Sequence, residues 1–278
     1  MTILRTGLSL LGIGMTTLLA AMLASGSVMA DVFLYHAPGS YDSDSDRKQS
    51  SSSGIYMDGD SVELGVEKTV VEYNSSLILE QTDITAVWKL KAGYMHSLRL
   101  GVHYASSDEV ESRGKSTIIA ETLYYPKDVY GAALYYTKYD NDEVEVWQFS
   151  PRFGRYVWPS LLAGTFYLQA QVNAIAVSTQ DDSQNYTSVD LKSHWAIEPW
   201  GIELGAWFGK QRSAVTDGGF TVYNLNDRYT GGLRLSTSVN LSEQTRLKLG
   251  SQVSRRQIGE DEPAHLVTTW IMGFSHEF

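Results

Sequence analysis

The strongest constraint on what this chain can fold into lies in its last fifteen residues, Ala264 to Phe278. Every second residue from Leu266 gives Leu266, Thr268, Trp270, Met272, Phe274, His276 and Phe278, a large and mostly aromatic or apolar series. The residues between them are His265, Val267, Thr269, Ile271, Gly273, Ser275 and Glu277, which are smaller and more polar. A period of two with unlike faces is that of a β-strand whose sides meet different surroundings. A helix, with its period of 3.6, would mix the two sets.

The same alternation recurs upstream. In Phe166–Ala176 one face carries Phe166, Leu168, Ala170, Val172, Ala174 and Ala176, and the other Tyr167, Gln169, Gln171, Asn173 and Ile175. Val189, Leu191, Trp195 and Ile197 stand against Asp190, Lys192, His194 and Glu198, and Ile202, Leu204, Ala206 and Phe208 against Glu203 and Gln211. Abundant Tyr (17) and Trp (7), Gly (24) for turns and scarce Pro (6) suit such strands. The pattern predicts twelve of them: 62–73, 82–92, 96–106, 116–126, 129–139, 144–156, 164–177, 187–197, 201–211, 229–240, 244–255 and 264–278. A soluble sandwich also shows one apolar face per strand, but seldom needs strands this long and regular.

A terminal strand with this alternation and a final aromatic residue resembles the C-terminus of Gram-negative outer-membrane β-barrel proteins, a broad class. The resemblance implies an all-β, antiparallel up-and-down transmembrane barrel of about 12 strands, in outer-membrane lipid and lipopolysaccharide. It also implies insertion by the barrel-assembly machinery, which reads the C-terminal strand. Residues 1–30 read as a cleaved signal peptide, with Arg5, an apolar run from Leu8 to Ala24, and Val28-Met29-Ala30 at the cleavage site. Residues 31–60, with Asp42, Asp44, Asp46 and the Ser50–Ser53 run, read as a flexible periplasmic arm or a lumen plug. The barrel is then 61–278. No later stretch approaches eighteen consecutive apolar residues, so a membrane span must be made of strands.

The connections agree with this reading. With the C-terminus in the periplasm, the inner turns are Ala92–Tyr94, Pro126–Asp128, Val157–Ala163, Pro199–Trp200 and Leu241–Glu243, all but one tight. The outer connections are Asn74–Gln81, Ser107–Lys115, Asp140–Glu143, Ser178–Tyr186, Arg212–Arg228 and Arg256–Pro263, all but one longer, as in bacterial barrels. Tyr124, Tyr125, Tyr130, Tyr156, Trp158, Trp200 and Phe278 mark the periplasmic rim, and Tyr73, Tyr104, Tyr139, Tyr186 and Tyr229 the outer one.

Charge is segregated. The formal net charge is −10 and the outer loops are acidic, which argues against nucleic acid as a partner. Clustered loop carboxylates suit divalent cations, yet none has the spacing of a calcium loop. The inward faces are expected to carry Lys89, Lys91, Arg99, Lys138, Arg152, Lys192, Arg234, Arg246 and Lys248 against Asp83, Glu121, Asp190, Glu198 and Glu203. These charges either pair across the lumen or form a basic path for anions.

No enzyme signature stands out. There is no G-x-S-x-G elbow and no H-E-x-x-H, and cysteine is absent, which removes disulfides and thiolate metal sites. His103 and His194 are expected in the lumen with Ser97 and Asp190, and His276 on the lipid side. No catalytic residue, metal ligand or cofactor is expected. The functional expectation is a narrow porin-like channel for small hydrophilic, anion-leaning solutes. Its candidate pore-lining residues are Lys89, Arg99, Arg152, Lys192, Arg234 and Lys248, with Tyr167 and Trp207 constricting the path. Two alternatives stand beside it: a closed barrel for binding, adhesion or autotransporter-like display, favoured by the length of Arg212–Arg228 and by the Asp31–Asp60 arm, and a lipid-modifying enzyme.

Overall fold

The computed structural model describes residues 30–108, 113–140, 144–158, 164–180, 182–216, 221–222, 227–257 and 263–278. Of the expected signal peptide 1–30 only its last residue, Ala30, is among them, and the tips of several connections lie outside. The chain forms a closed antiparallel barrel. Its wall is β1 (Ala30–Tyr41), β2 (Arg47–Gly59), β3 (Val62–Tyr73), β4 (Ile78–Ala92), β5 (His96–Ser107), β6 (Gly114–Tyr124), β7 (Asp128–Tyr139), β8 (Glu145–Val157), β9 (Thr165–Ser178), β10 (Ser183–Ile197) and β11 (Trp200–Arg212). A two-residue pair, β12 (Val215–Thr216) and β13 (Thr221–Val222), interrupts the series before β14 (Arg228–Asn240), β15 (Thr245–Gln257) and β16 (His265–Glu277) complete it.

The wall therefore has fourteen strands, not twelve. The two additional ones are β1 and β2, from the segment expected as an arm or plug. β1 pairs with β16 from Asp31↔Glu277 to Tyr41↔Val267 and so closes the barrel. β2 is rich in serine and has little apolar contrast, so no face pattern announces it. It is held by its ladders to β1 and β3, because an open sheet edge cannot persist in hydrocarbon. Pro38 argues against an interior strand, and the β1–β16 register passes from His36↔Met272 to Gly39↔Thr269 around it.

One face of the wall is an apolar belt. Ile84, Trp88, Leu90, Phe149, Leu204, Phe208, Leu235, Trp270 and Met272 are 50–61% exposed, as expected for side chains that meet lipid. The terminal strand presents Leu266, Trp270, Met272 and Phe274 to that side, and Val267, Thr269, Gly273 and Ser275 share the interior with Tyr41, Gly39, Tyr35 and Phe33.

Ala30 and Phe278 meet at one end of the barrel, where the Phe278 N–H donates to Ala30 O at 3.1 Å. Connections at that end are 60–61, 93–95, 125–127, 158–164, 198–199 and 241–244; at the other they are 42–46, 74–77, 108–113, 140–144, 179–182, 213–227 and 258–264. The contrast in length is smaller than expected, because β4 and β10 run further toward the loop end.

The aromatic rims are unequal. At the short-turn end Tyr94, Tyr125, Tyr130, Trp158, Trp200 and Phe278 are 45–103% exposed. At the loop end only Tyr104, of the five expected, faces outward. Tyr139 and Tyr186 are buried in the interior, Tyr73 lies under the Arg47 guanidinium at 5.3 Å, and Tyr229 contacts Trp207 at 6.4 Å. Tyr136 and Trp147, 4.6 Å apart, supply outward rings there instead. The reason is that the interior at this end is packed and draws large side chains inward.

What it packs around is the β11–β14 connection. Ser213 takes the left-handed conformation (φ 52°), redirecting the chain from the wall into the lumen. Ala214 joins Tyr139, Val146, Ile175, Val177 and Tyr186 in one buried cluster, and Val215 joins Val87, Ile118 and Tyr135 in another. Eight strands enclose an interior that side chains fill, and sixteen leave an aqueous channel. At fourteen the wall encloses more space, and Ala214 and Val215 fill part of it.

Candidate functional site: the lumen and its inward hairpin

The strand registers settle which charges face inward. Lys89, Arg99, Arg152, Lys192, Arg234 and Lys248 all lie on interior faces, where Lys89 is the Cα partner of Arg99, Arg152 of Gln171, Lys192 of Gln169, and Arg234 of Gln252. Three expected interior residues do not. Ala120 pairs with Ala133 and Thr122 with Gly131 on the inner face of β6 and β7, so Glu121 and Lys138 point outward. Glu121 accepts from the His96 ring at 2.6 Å on that outer side. β6 carries Ile118 inside and Ile119 outside, and β7 Tyr135 inside and Tyr136 outside, so hydrophobicity alone does not fix their phase. Glu198 sits exposed in the β10–β11 turn rather than in the lumen.

Most interior charges are paired. Lys89 contacts Asp58 and lies 3.8 Å from Glu63, and Arg99 also binds Glu63. Lys192 Nζ lies 2.7 Å from Glu203 Oε2, and Arg234 Nη2 lies 3.4 Å from Glu203 Oε1. Arg152 is different: its Nη2 donates to Thr122 Oγ1 at 2.7 Å. In a partly dry interior, pairing offsets desolvation that would otherwise exceed the Coulombic gain.

Two adjoining cavities occupy the short-turn half. One, of about 470 Å³, is lined by Glu63, Arg99, Arg152, Lys192, Arg234, Trp207 and Thr216 of β12, among others. The second, of about 460 Å³, shares Glu63 and Arg234 and adds Phe33, Tyr35, Tyr56, Asp58 and Lys248. Five of the six candidate residues thus line these two adjoining cavities, and Lys89 meets their lining through its acidic partners Asp58 and Glu63. Tyr167 and Trp207 are inward, as expected. The main constriction is the hairpin, which no local pattern announced.

Polar bonds fix that hairpin. Gln148 Nε2 donates to Val215 O and the Val215 N–H donates to Gln148 Oε1, each at 2.8 Å. From Gln148 a buried chain continues through Ser150 and Asn173 to Ser188 and Asp190. At its far base, Asp227 accepts from Arg47 at 2.5 Å and lies 2.9 Å from Arg256 Nε; Arg256 Nη1 also donates to Asp46 at 2.7 Å. Tyr41 and Tyr73 lie beneath these guanidinium groups at 5.3–5.9 Å. Burial alone would raise the Asp46 carboxyl, but the Arg256 hydrogen bond and charge outweigh it and hold the group below its ordinary value. Asp46, Arg47, Asp227 and Arg256 come from three distant stretches. The acidic 42–46 segment was the only hint, and it read as solvated chain.

The histidines lie where expected, with different neighbours. His103 and His194 face inward and His276 outward, the last bonded to Thr245 at 3.0 Å. His103 meets Thr85 Oγ1 at 2.8 Å and Asp83 Oδ1 at 3.2 Å rather than Ser97 and Asp190. This hydroxyl–imidazole–carboxylate row is buried on the inner face of β4 and β5, with Thr85 and His103 2% exposed and Asp83 6%. Among the described residues no group of three or more His, Asp or Glu is placed to hold a metal ion.

A closed antiparallel barrel with an apolar outer belt and a charged, partly filled lumen defines the outer-membrane β-barrel class. No protein-family profile matches the chain, and no curated protein matches it. Among solved structures it is similar to a bacterial polysaccharide outer membrane secretin, with TM-score 0.55, 10% identity, and 90% of this chain and 98% of that one covered. It is also similar to the CymD monoaromatic hydrocarbon channel, with TM-score 0.52, 7% identity, and 91% and 89% covered. At these identities the likeness is one of fold.

Proposed function

We propose that the protein is exported by its N-terminal signal peptide to the outer membrane and acts there as a narrow channel for small hydrophilic solutes, with a mild anion preference. The observation that carries this reading is the pair of adjoining cavities in the short-turn half, which between them gather Arg99, Arg152, Lys192, Arg234 and Lys248. Solutes would cross by exchanging part of their hydration for these groups and for the amides between them. The short turns lie in the periplasm and the loops outside, among lipopolysaccharide, and the barrel-assembly machinery takes up the β16 end. The test is swelling of liposomes carrying the purified barrel. Swelling with glycine or arabinose but not with a trisaccharide is expected, and no swelling with any of them would overturn the reading.

The closed-barrel alternative draws on the filled loop half, where the hairpin and the Asp227 cluster occupy the lumen. Shortening residues 214–226 separates the two. A channel gains permeability, and a structurally closed barrel loses its fold or its partner binding instead.

A further inference from the structure

We propose that the lumen contains a binding site for a small organic monocarboxylate that carries a ring, centred on Arg152 and roofed by β12. The site deepens the channel reading, on which its route of access rests.

Among the four cations of the 470 Å³ cavity, Arg152 is distinguished by its partner. Glu63 serves Arg99, and Glu203 serves both Lys192 and Arg234. Among the described residues no carboxylate pairs with Arg152, whose contact is the Thr122 hydroxyl. A guanidinium has five N–H donors and no acceptor, so one neutral bond leaves most of its capacity open, and its planar fork matches a carboxylate. The side chain is nevertheless held in place. Its stem lies across Gly131, where a Cβ would come within 2.5 Å of Nε and 3.0 Å of Cγ. Glycine there, rather than an acid, positions the charge.

Rings flank it. Two residues along β8, Gly154 makes room for the Tyr167 ring, and Gly232 does the same for Trp207, whose Nε1 and Cε2 would meet a Cβ at 2.5 and 3.0 Å. Both aromatic side chains therefore lie close against the wall, and Trp207 lines the cavity that Arg152 borders. Gln169 and Gln171 border the same cavity, and each spends one amide group on a neighbour through Tyr167 and Asn173. Aromatic surface, uncommitted amide and one open guanidinium suit a ring bearing a single carboxylate. Glu63 and Asp190 line the cavity as well and would repel a more highly charged anion such as phosphate. The volume lies within the usual range for small-molecule sites and fits one such ring. Thr216 of β12 lines it from above, so a solute entering from the short-turn end meets β12 across its path and dwells there.

The test is isothermal titration of the full-length barrel folded in detergent with benzoate and glucuronate, and with acetate, glucose and inorganic phosphate as comparisons. One or both ring carboxylates should saturate at one per chain, about tenfold or more tighter than the other three, and Arg152→Gln should weaken that binding about tenfold or more. Whichever of the two binds tells whether the ring is aromatic or a sugar. Arg246→Gln, at the mouth, should leave the affinity unchanged, and retained heat-modifiable gel mobility will show that each variant is folded. Should Arg152→Gln fail to fold, Arg152→Lys must weaken binding, because an ammonium loses the planar fork. No saturable binding by either ring carboxylate, equal binding of acetate or phosphate, or unchanged affinity in the Arg152 variant would overturn the proposal. Since titration in detergent needs no permeation, a barrel that binds but admits no solute would sink the channel reading alone.

Discussion

Gln148 and Val215 are joined as neighbouring strands are, the side-chain amide of one matching both backbone groups of the other at 2.8 Å. Gln148 is 1% exposed and Val215 1% exposed. A wall residue thus serves as a surrogate backbone for a hairpin that has left the wall. Replacing Gln148 by Ala strips two buried backbone groups of their partners, at about 1–3 kcal/mol. The expected outcome is a loosened roof, read in planar bilayers as larger and noisier single-channel currents than those of the parent.

The base of the hairpin should be more sensitive still. Asp227 faces Arg47 and Arg256, both nearly fully buried, and removing the carboxylate leaves two guanidinium groups to share Asp46. Breaking a buried pair on one side typically costs about 3–5 kcal/mol. Asp227→Asn is expected to lower the temperature at which the folded gel band is lost. Arg256→Met in the same background should recover part of that loss, since it removes one stranded charge.

Asp46 gives the cluster a definite pH dependence. Its folded carboxyl titrates below the ordinary value of 3.8, so its stabilising contribution is complete above that value and disappears as pH falls through the depressed one. Stability of the loop half should accordingly be insensitive to this group between about pH 5 and 8 and should drop in stronger acid. Asp46→Asn should flatten the acid limb of a pH–stability curve measured by tryptophan fluorescence. An unaltered acid limb would show that Asp46 is not a source of it.

Removing residues 31–59 distinguishes wall from arm. β1 supplies the partner of β16 and β2 the partner of β3, so the truncated chain exposes two open strand edges. It should fail to give a folded, heat-modifiable band in detergent or lipid. A stable barrel from the truncated chain would return the segment to the status of an arm.

The strands that were legible are those whose two faces meet unlike solvents. β9, β10, β11 and β16 alternate strongly, and their registers place the apolar sets outward as read. β1 and β2 were missed because serine satisfies a lumen face without contrast and because Pro38 and the acidic 42–46 turn mimic disordered chain. Glu121 and Lys138 were misplaced because β6 has isoleucine on both faces, at Ile118 and Ile119, and β7 has tyrosine on both, at Tyr135 and Tyr136. The candidate cations were legible one by one from alternation. Their pairing with Glu63 and Glu203 was not, since cross-strand partners depend on register and on barrel closure. The hairpin was hidden for a related reason: a loop that folds inward looks in sequence like one that projects, and Ala214 and Val215 are too short an apolar run to signal a core.

The central claim is that interior cations govern a narrow conducting path, and the reversal potential across a salt gradient tests it most directly. The parent barrel should conduct with a modest anion preference, and the combined Arg152→Glu, Lys192→Glu and Arg234→Glu variant should pass to cation preference. A folded, inserted barrel that carries no current even with residues 214–226 shortened, or a triple variant with an unchanged reversal potential, would contradict the account.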